Sequence, residues 1–164
     1  MKTIDYSFID KSGWQRGPWD NEPDKRQWMD EATGLPCLIV RGVMGSLCGY
    51  VGVPTTQRGA IDVDELEVHG GVTFTGPWRG TMHGICHVVG HGENDDVQWV
   101  GFDCAHYMDA MPGADAALPA SFLVDHPMYG EGNTYRDFAY VTAECQRLAK
   151  QLVAWVGALG QRAP

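Results

Sequence analysis

Five of the six histidines of this chain fall between His69 and His106, with Cys86 and Cys104 among them. In "TMHGICHVVGHGE", residues 81–93, His83, His87 and His91 recur at every fourth position. On a helix those rings would share a face and neighbours could chelate one ion. Gly84, Gly90, Gly92 and the Val88-Val89 pair favour a strand instead. Four strand residues span about 13 Å, whereas zinc–nitrogen bonds are about 2 Å, so a regular strand keeps neighbouring rings off a common ion. His91 then reads as a turn residue.

A smaller metal set survives. Cys86 and His87 lie side by side, and Cys104 with His106 forms a CxH pair at the end of the next predicted strand. If the two strands pair, Cys86, His87, Cys104 and His106 can surround a zinc ion, although the spacing matches no standard zinc module. The alternative is buried small thiols and a hydrogen-bonded imidazole, with no cofactor.

"GFDCAH", residues 101–106, with Asp109 shortly after, gathers Asp103, His106 and Asp109 where the chain leaves a strand. Carboxylates and an imidazole at a strand terminus suit general acid–base work or a polar ligand. Asp103 capping a turn is the plainer alternative. "VHGG" adds His69 beside Gly70 and Gly71, where the lack of Cβ atoms permits close approach to a ligand or a positive φ. On a C-terminal helix, Asp137 and Glu144 share a flank with Tyr140 and could reach toward such a site. The expected ligand set is therefore His69, Gly70, Gly71, His83, His87, Asp103, His106 and Asp109. The catalytic candidates are His106, Asp103, Asp109 and Glu144. "DVDELE", residues 62–67, offers carboxylates for Mg²⁺ or Ca²⁺ but reads more simply as a solvated strand face. No P-loop, HExxH, GxSxG or EF-hand pattern occurs.

The elements that must position these residues are mostly strands. "CLIVRGV" and "LCGYVGV" flank "MGS" as a hairpin, 37–43 with 47–53. The segments around Val68–Phe74, "GICHVV" and "VQWVGFDC" supply further strands, with Gly70-Gly71 as a bulge. Asn21 or Asp20 as cap, Pro23 and Gly34 predict a short helix over Pro23–Ala32. Phe138, Val141, Cys145, Leu148, Leu152, Trp155 and Leu159 step by three and four, predicting one helix over about 135–158. Thr134 with Asp137 resembles a capping box at its start. Residues 109–133, with three prolines, form a long connection containing a short helix near 114–122. The expectation is a single α+β domain, residues 1–164. It has a mostly antiparallel sheet of five to six strands, a long C-terminal helix on one face, a short N-terminal helix and an N-terminal arm over 1–18.

Composition narrows the function classes. The chain has 164 residues and a formal charge of −9, which repels phosphate backbones and argues against general nucleic-acid binding. No apolar run is long enough to span a bilayer. Asp5 and Asp10 interrupt the stretch where a signal peptide needs apolar residues. Five scattered cysteines without a CxxC pair fit a reducing compartment. A cytoplasmic location follows as the expectation.

Taken together, "GLPCLIVR", "LCGYVGVP", "VHGGVTFTG", "HGICHV", "VGFDCAH" and "YRDFAYVTAECQRLAKQL" resemble a family of small uncharacterised proteins of bacteriophages and bacterial genomes, over about residues 18–152. Against that pattern, this chain carries Tyr107 and Met108 where the resemblance predicts a small residue or glycine. The resemblance implies a phage-type accessory protein in the host cytoplasm and transfers no catalytic residues. It suggests a small nucleotide-like ligand, sequestered as a host defence signal. A hydrolase of the same ligand class, metal-dependent or using a His/Asp general base, is the alternative. A host-protein interaction module gripping its partner through Trp14 and Trp19 is the second alternative. A homo-oligomer is compatible with each.

Overall fold

The computed structural model describes residues 3–54, 61–77, 97–119 and 132–160. Six strands form one sheet: β1 Ile4–Tyr6, β2 Lys25–Met29, β3 Pro36–Arg41, β4 Leu47–Pro54, β5 Phe74–Pro77 and β6 Val97–Asp103. Their order is β1-β2-β3-β4-β6-β5 and every pairing is antiparallel. A single turn of helix, α1 (Ala114–Ala117), precedes the long α2 (Phe138–Gly160). The α+β expectation holds: the long helix packs on an antiparallel sheet.

Strand alternation sorts the core into two faces. Cys37 and Ile39 of β3, Leu47 and Val51 of β4, and Val100 and Phe102 of β6 face α2, which answers with Val141, Cys145, Leu148 and Leu152. Their neighbours Leu38, Val40, Tyr50 and Trp99 are buried on the opposite face. From Phe138 to Leu152 the predicted helical stripe is therefore the packing stripe, and Trp155 is only half-buried. Gly49 lets the helix approach. A Cβ there would lie 2.5 Å from the Phe102 ring and 2.8 Å from Cys145 Sγ.

Three expectations are corrected. The predicted helix Pro23–Ala32 is instead β2, in register with β1 and β3. Its residues are fair helix formers, but pairing wins over local propensity. Lys25 and Gln27 are buried on one face, and Arg26 reaches across to Asp5, its β1 partner, with two bonds of 2.7 Å. The only helical turn near there is a 3₁₀ turn, Pro18–Asn21. Second, the strand expected from "DVDELE" through Phe74 does not form: residues 63–65 are a 3₁₀ turn capped by Asp62, residues 66–73 are an irregular loop, and β5 begins only at Phe74. Third, the capping box of Thr134 gives way to Asp137, whose Oδ1 accepts from Tyr140 N at 2.8 Å. The "GICHVV" strand lies outside the described residues, as does the predicted helix beyond residue 119.

The N-terminal arm is docked. Trp19 meets the Tyr135 ring edge-on at 5.0 Å, and Trp14 lies against Gly113, where a Cβ would come within 2.6 Å of its ring. Among the described residues, no helix is long and apolar enough to cross a membrane.

Candidate functional site

Two irregular segments meet beside the start of α2. One is the loop 66–73. Leu66 and Val68 sink into the core and tie it to the sheet, and Thr73 N donates to Gly101 O at 2.9 Å. A row on the flank of α2 holds the same loop from the other side. Residues 140, 144, 147 and 151 are spaced by four, three and four, so they share one helix flank. Gln151 bonds both the N–H and the C=O of Glu67, at 2.8 Å each. Glu144 Oε2 accepts from His69 N at 2.8 Å and from Arg147 at 2.7 Å. The Tyr140 hydroxyl lies 3.0 Å from His69 Nδ1. His69 is thus fixed through both its backbone and its ring.

The other segment leaves β6. Cys104 N donates to Leu47 O, Asp109 N closes a turn onto His106 O, and Asp109 bridges to Thr134. Within that turn Met108 has φ +72°, the left-handed region that favours glycine, where the resemblance predicts a small residue. Tyr107 and Met108 project into solvent.

Asp109 is the hub. Its side chain is 1% exposed and takes three donors: His69 Nε2 at 2.6 Å, Arg136 Nε at 2.9 Å and His106 N at 3.1 Å. Burial would raise its pKa, but the bonds from His69, Arg136 and the His106 amide outweigh that and hold it below the usual carboxylate range. An ionised carboxylate only accepts, so His69 carries its proton on Nε2. In the neutral ring Nδ1 then accepts from the Tyr140 hydroxyl. Arg136 also lies over the Tyr140 ring, 5.0 Å from its centre.

His106 completes the cluster differently. Its ring meets that of His69 edge-on, with centres 5.4 Å apart. It lies so close to Gly70, at φ +65°, that a Cβ there would fall 2.0 Å from Cε1. Its Nδ1 is shielded from solvent and has no hydrogen-bond partner among the described residues. The nearest carboxylate oxygens are those of Asp109 at 3.7 Å and Asp103 at 3.9 Å, too far for a hydrogen bond. Asp103 spends Oδ1 on Ala105 N, so it caps the turn.

The structure therefore joins His69, Gly70, Gly71, His106 and Asp109, with Asp103 at the edge and Glu144 acting through the His69 backbone. Gly71 also has positive φ, +87°. His83, His87 and Cys86 lie outside the described residues. Cys104 is buried, and burial raises its thiol pKa well above normal. Arg136 and the full role of Tyr140 escaped the sequence reading. The flank spacing 140-144-147-151 was the usable signal for Tyr140; Arg136, outside the helix, left none.

No family model, curated protein or solved structure matches this chain.

Proposed function

We propose that the protein binds a small polar ligand at the His69–His106–Asp109 cluster, in keeping with the nucleotide-like ligand that the resemblance suggests. One observation carries the reading. A partly exposed imidazole is lodged over a left-handed glycine, beside a buried ionised carboxylate, with a ring nitrogen that no described residue bonds. Such a nitrogen loses hydrogen-bonding free energy until something occupies it. Arg136 adds a cation for an anionic group, and exposed Tyr107 offers a ring for stacking. Capture of a host defence signal by a phage-type protein is the role that fits such a site, and it rests on the resemblance alone.

Calorimetry against cyclic and ADP-ribose-type nucleotides tests the reading. The expected result is stoichiometric binding that His106→Ala removes; silence across the panel would discard the nucleotide class.

A hydrolase is the second reading, and the chain Asp109–His69–Tyr140 favours it. A buried carboxylate orients an imidazole, which in turn orients a phenol, the arrangement that passes a proton between side chains. Intact nucleotide recovered from the denatured complex supports binding, whereas converted nucleotide supports catalysis.

A further inference from the structure

We propose that His69, His106 and Asp109 form a binding site for one borderline divalent transition-metal ion, of the zinc type, with Arg136 and Tyr140 positioning its ligands. The inference relies on the preceding reading only for the place of the working site, and needs no organic ligand. It differs from the set Cys86, His87, Cys104 and His106 that the sequence suggests, of which Cys86 and His87 lie outside the described residues.

Geometry comes first. One ligand atom from each of the three residues lies within 4.8 Å of the others. Asp109 Oδ2 is 2.6 Å from His69 Nε2 and 3.7 Å from His106 Nδ1. Zinc bonds of about 2.0–2.1 Å in a tetrahedron place ligand atoms about 3.3 Å apart. Shifts of roughly an ångström or less at the first two pairs reach that spacing, within the range of side-chain rotation. His106, with a side chain 34% exposed, must turn slightly on its place over Gly70 to make the adjustment.

Proton bookkeeping agrees. A metal takes the lone pair of His69 Nε2, so that proton must move to Nδ1 or leave. Nδ1–H then donates to the Tyr140 oxygen at 3.0 Å, since a hydroxyl accepts as well as donates. Metal-bound imidazoles characteristically donate their second N–H in this way. His106 Nδ1 has no hydrogen-bond partner among the described residues, so it loses none by coordinating.

Arg136 takes Oδ1 of Asp109, and Oδ2, which accepts from His106 N at 3.1 Å, turns its other lone pair to the ion once His69 Nε2 gives up its proton. The guanidinium draws charge from the carboxylate and weakens it as a ligand, but fixes its orientation. Two imidazoles among three ligands select zinc, cobalt or nickel over magnesium or calcium. Three protein ligands leave a position for water or an anionic group of a bound molecule.

The test uses the full chain stripped with a chelator, then titrated with zinc chloride and separately with cobalt chloride. The expected result is one ion per chain, visible cobalt bands of a four- or five-coordinate site, and no competition from magnesium. His69→Ala and His106→Ala should each weaken binding at least about tenfold, a lower bound set by the 10–100-fold typical of partners outside the ligand set. A C86S/H87A double variant should bind as the parent does. Circular dichroism keeps misfolding from counting, and His106→Gln provides a second, milder variant. No stoichiometric binding, or binding lost in C86S/H87A but kept in His106→Ala, overturns the metal site. Nucleotide binding without zinc binding refutes this inference alone. Zinc binding without nucleotide binding refutes only the nucleotide class.

Discussion

Asp24 and Asp109 are both shielded carboxylates held below their usual range, yet the clusters around them are built to different standards. Burial would raise the Asp24 carboxyl, but Lys11 and the Ile9 and Phe8 amides outweigh it. Lys11 lies 2.7 Å from Oδ1, and Phe8 N and Ile9 N bond Oδ2 at 2.7 and 2.8 Å. Arg41, with no exposed side chain, spends its donors on Asp24, Glu22, Gly45 O, Pro23 O and the Tyr135 hydroxyl. Glu22 in turn accepts from Tyr135 and caps α2 through Phe138 N. This network is closed, and it joins the arm, β3 and the head of α2. Around Asp109 the closure stops at His106, which has a shielded nitrogen without a hydrogen-bond partner among the described residues and a partly exposed ring. Saturation marks a structural joint, and an unfinished cluster marks a place for a missing partner.

The largest way to break the contrast is Arg41→Ala. It takes a fully buried guanidinium away from buried Asp24 and half-buried Glu22, leaves Gly45 O and Pro23 O without that donor, and should cost about 3–5 kcal/mol in urea unfolding. If it costs less than about 1 kcal/mol, the closed network is not a joint. Gly70→Ala comes next. Its φ of +65° and the His106 ring in its way predict a loss of about 1–3 kcal/mol together with displacement of that ring. An unchanged His106 environment by NMR would show that the glycine does not set the site.

Acid sharpens the comparison because both carboxylates titrate low. A folded pKa below the unfolded value stabilises the fold above the unfolded pKa of about 3.9, and this stability drains as pH falls through the folded pKa. Stability should therefore drop below about pH 4. Asp24→Asn and Asp109→Asn should each flatten that drop, as read from urea midpoints against pH. A slope untouched by either variant would remove both residues from the account. His106→Ala is the smallest effect on stability, expected within about 0.5 kcal/mol because the ring is partly exposed and one nitrogen is unbonded.

Local patterns carried part of this structure into plain sight. The β3–β4 hairpin and the α2 stripe were legible because alternation and the three-four step report burial directly. His69-Gly70-Gly71 and Asp103–Asp109 were legible as chemistry, because a histidine before paired glycines and an acid-rich strand exit are local signals. The β2 strand was not, since its residues favour helix and only β1 and β3 impose the extended form. His69 and Asp109 were grouped as one ligand set, but their direct hydrogen bond across forty residues was not legible, because no local pattern reports it. Arg136 is invisible for the same reason: its role exists only once Asp109 arrives beside it.

Zinc-dependent thermal unfolding of the parent, His106→Ala and Tyr135→Phe compares the two clusters most directly. Tyr135 belongs to the closed network, so Tyr135→Phe lowers stability without touching the open site. At zinc a hundredfold above its dissociation constant, linkage stabilises the folded state by about 2.7 kcal/mol, a rise of roughly 5–10 °C for a chain of this size. That rise should appear in the parent and in Tyr135→Phe and vanish in His106→Ala. A rise that survives in His106→Ala, or is lost in Tyr135→Phe, contradicts the division of labour between the two clusters.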